Sequence, residues 1–130
     1  MNNMLDKQQK KELATNYKQT FRAMGVYQIR NTQNNKIFVN GSMDLDGMRN
    51  RLEFCKQMNT NTFNELQKDW TTFGGQVFVF EVLDRIEPRD EIMLDAADLK
   101  SYRTEVDALL ELWLEKLEPY EEKGYNKRKR

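Results

Sequence analysis

With no histidine and one cysteine among 130 residues, the chain cannot build a zinc site of Cys and His, a Ser-His pair or a Cys-His pair. Cys55 has no partner for an intramolecular disulfide and reads as a small buried side chain in a reducing compartment. The chemistry that remains belongs to tyrosine, arginine, lysine and carboxylates. Arg49, Arg51 and Lys56 fall on one expected helix, and Lys127-Arg128-Lys129-Arg130 form a basic tail. Such cations can neutralise phosphate, supplying affinity and salt dependence without reading a base sequence. Solvated helix charge is the competing reading, and both stay open. Formal charge is zero, from 21 basic and 21 acidic residues, but residues 81–122 hold 14 acidic and 5 basic side chains, leaving 7 and 16 elsewhere. The chain is dipolar, and its basic part could attract a polyanion.

The elements that must position these groups follow from periodicity. Residues 24–42 contain two short runs of β-branched and aromatic residues around a polar turn with Asn34-Asn35, the pattern of a β-hairpin with Tyr27 on one strand and Phe38 on the other. Ahead of it, Leu13, Tyr17 and Phe21 recur every four residues, so residues 4–22 are expected to form a helix with Lys7, Lys10, Lys11 and Lys18 outward. After the hairpin, Asp44 can cap a helix on which Leu45, Met48, Leu52 and Cys55 make one apolar stripe. Thr62 and Glu65 have capping-box spacing for a second helix, with Phe63, Leu66, Trp70 and Phe73 as its core face and Gly74-Gly75 as its stop. Residues 77–83 are nearly all apolar, which predicts a strand buried on both faces at the centre of the sheet. Leu99, Tyr102, Val106, Leu109, Trp113 and Leu117 mark a long helix starting near Asp90 or Asp98 and stopped by Pro119. The expected fold class is α+β, a three-stranded sheet flanked by helices. The expected organisation is an N-terminal helical extension (1–23) packed on one domain (24–126), followed by the tail (127–130). No signal-peptide core and no ~20-residue apolar span occurs, so a cytoplasmic protein without membrane contact is expected.

Gly25-Val26-Tyr27 and Phe38-Val39-Asn40, the Asp44-Leu45 helix start, Asn64-Glu65-Leu66-Gln67, Phe80-Glu81-Val82-Leu83, Trp113-Leu114-Glu115-Lys116-Leu117 and the closing Gly124-Tyr125-Asn126 together resemble the GIY-YIG nuclease superfamily, in a bacterial branch with an N-terminal helical extension. The resemblance implies phosphodiester hydrolysis with one divalent metal, Mg²⁺ or Mn²⁺. It places a tyrosine in each triplet, an arginine and a histidine on the first helix after the hairpin, a metal-binding glutamate on the last long helix, and a late asparagine. Those family positions here are Tyr27, Phe38, Asn40 (for the second triplet's glycine), Met48, Leu52, Leu110 and Asn126.

Tyr27 and Asn126 match. Phe38 keeps the ring but has no hydroxyl to move a proton, and Met48, Leu52 and Leu110 carry no charge. Arg49 and Glu111 stand one residue from their family positions, a rotation of about 100° on a helix. The leading expectation is therefore a catalytically degenerate nuclease homologue, a pseudoenzyme that needs no cofactor and serves as a nucleic-acid-binding or interaction module, with DNA or RNA met through Arg49, Arg51, Lys56 and the tail. The alternative is an active metal-dependent endonuclease with a shifted site of Tyr27, Arg49 and Glu111, with Glu111 on the metal. A third reading is a protein-interaction domain that offers its acidic last helix to another protein.

Overall fold

Strand β1 (Met24–Asn31) runs through the middle of a three-stranded antiparallel sheet, with β2 (Ile37–Ser42) on one side and β3 (Phe78–Ile86) on the other. These elements come from a computed structural model that describes residues 23–86 and 96–128. Residues 1–22 of the expected extension (1–23) and tail residues Lys129 and Arg130 lie outside the described residues. The hairpin forms as its turn chemistry requires: Asn35 takes φ 62°, the side chain of Asn34 accepts from the Lys36 amide at 3.0 Å, and that of Asn31 accepts from the Gln33 amide at 2.8 Å. Asn tolerates the left-handed region and can close such turns through its own side chain.

The central position belongs to β1, not to residues 77–83 as their composition suggested. Four consecutive β1 residues, Met24 to Tyr27, are buried, whereas β3 is half-buried along most of its length. The apolar run of β3 has another cause. Phe78, Phe80 and Val82 pack into the main core on one face, so composition there reports contact with helices and not flanking strands on both sides.

Helix α1 (Leu45–Met58) starts at Asp44, whose side chain accepts from the Gly47 amide at 2.9 Å, and ends at Asn59 in the left-handed conformation. Its stripe of Leu45, Leu52 and Cys55 is fully buried against β1, with Met48 half-buried on the same cluster. The next stretch departs from expectation. A 3₁₀ turn (Asn64–Leu66) precedes helix α2 (Gln67–Phe73), and no side chain caps either. The capping box does not form because the Thr62 hydroxyl accepts from Arg51 at 2.8 Å instead. Phe63, Leu66 and Trp70 join the core, but Phe73, at the last position of α2, stays 41% exposed.

Helix α3 (Ala96–Leu117) covers the opposite face of the sheet, burying Tyr102 and Val106 against Met24, Met43 and Ile86. Leu99, expected inside, is 40% exposed near the helix start. Close approach of α3 depends on Gly41, where a Cβ would lie 2.7 Å from Val106 Cγ1. Beyond α3 the chain returns to the outer edge of β2, where Gly124 forms a parallel bridge with Ile37 and the Tyr125 amide donates to the Ile37 carbonyl at 2.8 Å. Among the described residues no helix is long and apolar enough to cross a membrane.

Candidate functional site

Tyr27 lies directly opposite Asn40 on β2 and, across β3, opposite Val82. The register with β3 shifts between Val26, which faces Asp84, and Tyr27, leaving Leu83 as the extra residue of a bulge that re-aims the side chains around it. Gly25 makes this close pairing possible. Its φ of +153° lies outside the range that L side chains favour, and a Cβ there would collide with the Asp84 carbonyl. Strand and bulge together turn the Tyr27 ring inward, where it stacks on Phe80 with centroids 4.9 Å apart.

Tyr27 is 0% exposed, and among the described residues its hydroxyl has no hydrogen-bond partner. Burial pushes the phenol up to about 12, against the smaller lowering pull of the Arg51 charge and the Asn40 amide; Glu65 adds to the rise. The Asn40 amide thus lies near enough to act on the hydroxyl electrostatically without reaching hydrogen-bond geometry. Its Oδ1 accepts from the Gly41 amide at 2.8 Å. A phenol so placed stays protonated at neutral pH and is sealed from water.

The three cations of α1 have separate fates. Arg51 donates from Nε to the Thr62 hydroxyl and from Nη2 to the Thr62 carbonyl, each at 2.8 Å, and its guanidinium lies 4.3 Å from the Phe63 ring centroid. Both of these hydrogen-bond partners are neutral, so neither offsets the guanidinium charge. Arg49 lies over Phe80 at 5.2 Å and pairs with Asp46 at 3.1 Å, so Arg49 and Tyr27 share a ring between them. Lys56 is largely committed to the fold: its side chain is 14% exposed, and Nζ donates to the Phe78 carbonyl at 2.8 Å.

The remaining family positions are apolar contacts or structural ties. Phe38 sits opposite Ile29, not opposite Tyr27, and packs into the core. Met48 and Leu52 belong to that same core, and Leu110 lies beside Gly41 under α3. Asn126 uses both ends of its amide on one residue of β2, accepting from the Val39 amide at 2.8 Å and donating to the Val39 carbonyl at 2.7 Å. Glu111 lines a cleft with Leu114, Glu115, Tyr120 and Arg128, a set that shares no residue with the surroundings of Tyr27. Of the groups that act on the Tyr27 hydroxyl, Arg51 is a cation, Asn40 an amide and Glu65 a carboxylate, whereas a hard divalent cation takes several oxygen ligands. Among the described residues no three Cys, Asp or Glu side chains converge as a metal-binding group.

Sequence reasoning missed Thr62, Phe63 and Glu65 as neighbours of this site. They stand in a turn after α1, and no helical spacing links them to Tyr27. A second polar network was equally hidden. Tyr125 donates to Asp69 at 2.5 Å, Asn34 donates to the same Asp69 oxygen at 3.0 Å, and Asn31 donates to the Tyr125 hydroxyl at 3.2 Å. Burial alone would raise the Asp69 carboxyl, but these hydrogen bonds and nearby Lys36 outweigh it and hold the group below the usual carboxylate range.

No family model and no curated protein matches the chain. Solved structures do. The catalytic domain of the homing endonuclease I-TevI superposes with a TM-score of 0.57 at 23% identity, covering 82% of this chain and 99% of that one. A mutant form of the catalytic domain of intron endonuclease I-TevI gives 0.56 at 23% identity, over 80% and 92%. The chain has the GIY-YIG nuclease fold. At this identity the likeness is one of fold. The GIY-YIG scaffold accounts for the order of hairpin, α1, α2, β3 and α3, and chemistry has to be argued from the side chains just described.

Proposed function

We propose that this protein holds a nucleic-acid backbone on a GIY-YIG scaffold without cutting it. The observation that carries this reading is the sealed Tyr27 hydroxyl: nucleophile activation in water needs a proton acceptor within reach of the reacting atom, and Tyr27 is fully buried with no proton acceptor in hydrogen-bond geometry among the described residues. Met48, Leu52 and Leu110 support it, since apolar side chains at those positions can neither stabilise a phosphorane charge nor hold a metal. Arg51 is the principal cation of the proposed interface, because its hydrogen-bond partners at Thr62 are neutral and do not compete with phosphate for its charge. Arg49 contributes less, since a phosphate competes there with Asp46. Lys56 contributes least.

The active alternative needs Tyr27, Arg49 and Glu111 around one metal, and Glu111 lining a separate cleft with Arg128 weighs against it. The decisive experiment incubates purified protein with supercoiled, branched and single-stranded DNA and with RNA, in Mg²⁺ or Mn²⁺, beside Tyr27→Phe. A salt-dependent mobility shift without cutting is expected, and Arg51→Gln should lower the slope of log K against log salt by about 0.9 on duplex DNA. Metal-dependent cutting that vanishes in Tyr27→Phe would overturn the proposal. Absence of any shift at low salt would favour a protein partner instead.

A further inference from the structure

The C-terminal half of α3 and the segment after it enclose a cleft of about 350 Å³, lined by Glu111, Leu114, Glu115, Tyr120 and Arg128. One cation is already seated there. The Arg128 guanidinium lies 4.5 Å from the Tyr120 ring centroid, and its Nε is 3.0 Å from Glu121 Oε1. We infer that this cleft is the docking site of the chain's own basic tail, anchored by Arg128, and that a nucleic-acid backbone competes with it for the tail's cations.

Charge complementarity and an aromatic platform support the assignment. Glu111, Glu115 and Glu121 face a segment that carries Lys127 and Arg128, and Tyr120 offers its ring to a guanidinium that stacks well on aromatic faces. The hold is weak enough to be exchanged. Both members of the Arg128–Glu121 pair are more than half exposed, at 60% and 58%, and exposed pairs contribute little. A polyphosphate offering several charges at once can therefore displace the acidic lining. Arg128 is then held in the cleft until a polyphosphate takes it. Competition rests on the nucleic-acid reading above, whereas docking does not.

Trypsin tests docking on the native full chain. Cleavage after Lys127 and Arg128, followed by mass spectrometry, should run about 5-fold faster in Glu115→Gln/Glu121→Gln than in the parent, the factor that ~1 kcal/mol of lost restraint gives. Both substitutions fall on exposed side chains, and a thermal melt checks that the fold is retained. Equal cleavage rates would overturn docking. A labelled DNA duplex tests competition: the double variant should bind it about 3- to 5-fold tighter at low salt, and adding Arg128→Gln should cancel the gain. Duplex binding by the parent with no gain in the double variant would overturn competition. Tail protection without duplex binding by any variant would uphold docking and overturn the nucleic-acid reading.

Discussion

A buried hydroxyl without an acceptor costs about 1–3 kcal/mol, and Tyr27 bears that cost at the centre of the sheet. Tyr27→Phe should therefore leave stability unchanged or raise it by up to ~1 kcal/mol, read as the midpoint of urea unfolding. A loss larger than that would show that the hydroxyl has an acceptor in solution. Alkaline titration probes the same atom. Its folded pKa of about 12 lies above the 10.0 of an ordinary tyrosine, so the folded state retains its proton while the unfolded chain loses its own. Stability linked to Tyr27 is thus intact below pH 10 and falls as pH rises from 10 towards 12, by roughly 2–3 kcal/mol in total. The difference in unfolding midpoint between the parent and Tyr27→Phe across that window measures it. Arg51 is the other instructive residue at this scale. Arg49 and Arg51 stand two residues apart on α1, and the turn at Thr62 gives Arg51 neutral hydrogen-bond partners whereas Arg49 pairs with Asp46.

Among the elements, α1 was the most legible. The spacing of Leu45, Met48, Leu52 and Cys55 placed its inner face, and Asp44 placed its start, because both signals are local and rest on helix geometry. The hairpin was legible for the same reason through Asn34 and Asn35. What local pattern could not supply was the lateral order of strands: β1 meets β3 across about fifty residues of sequence, and the bulge that aims Tyr27 exists only in that pairing. Nor could spacing tell Leu110 from Glu111 as the side chain under α3, a question settled by where Gly41 lets the helix descend. If the family positions are now packing, restoring Phe38→Tyr, Met48→Arg, Leu52→His and Leu110→Glu together should destabilise the protein by more than ~2 kcal/mol, chiefly through charge placed in the core. Unchanged thermal stability would refute that claim. The junction of α2 with the closing segment makes an acid prediction. Asp69 is held below its usual range, so its contribution is present above the unfolded value near pH 4 and is lost as pH falls through the folded one. Asp69→Asn should flatten the dependence of unfolding midpoint on pH below about 5.

At the scale of the whole molecule, the sheet is wrapped unequally: α1, α2 and the turn between them build the larger core on one face, and α3 covers part of the other. The charge asymmetry read from the sequence follows this division. The acidic stretch 81–122 includes β3 and α3, whereas Arg49 and Arg51 stand on α1, so the charge differs between the two sides of the sheet. The tie between Asn126 and Val39 has a bearing on how such a molecule is made. Strand β2 is synthesised early, but the groups that cover its outer edge lie more than eighty residues later, so a nascent chain carries that edge bare until residue 126 has left the ribosome. An uncovered edge is a template for other strands. A chain ending at residue 123 should accordingly keep its helices yet self-associate, eluting ahead of the parent in size-exclusion chromatography, and a monomeric, equally stable truncation would show that β2 needs no late partner.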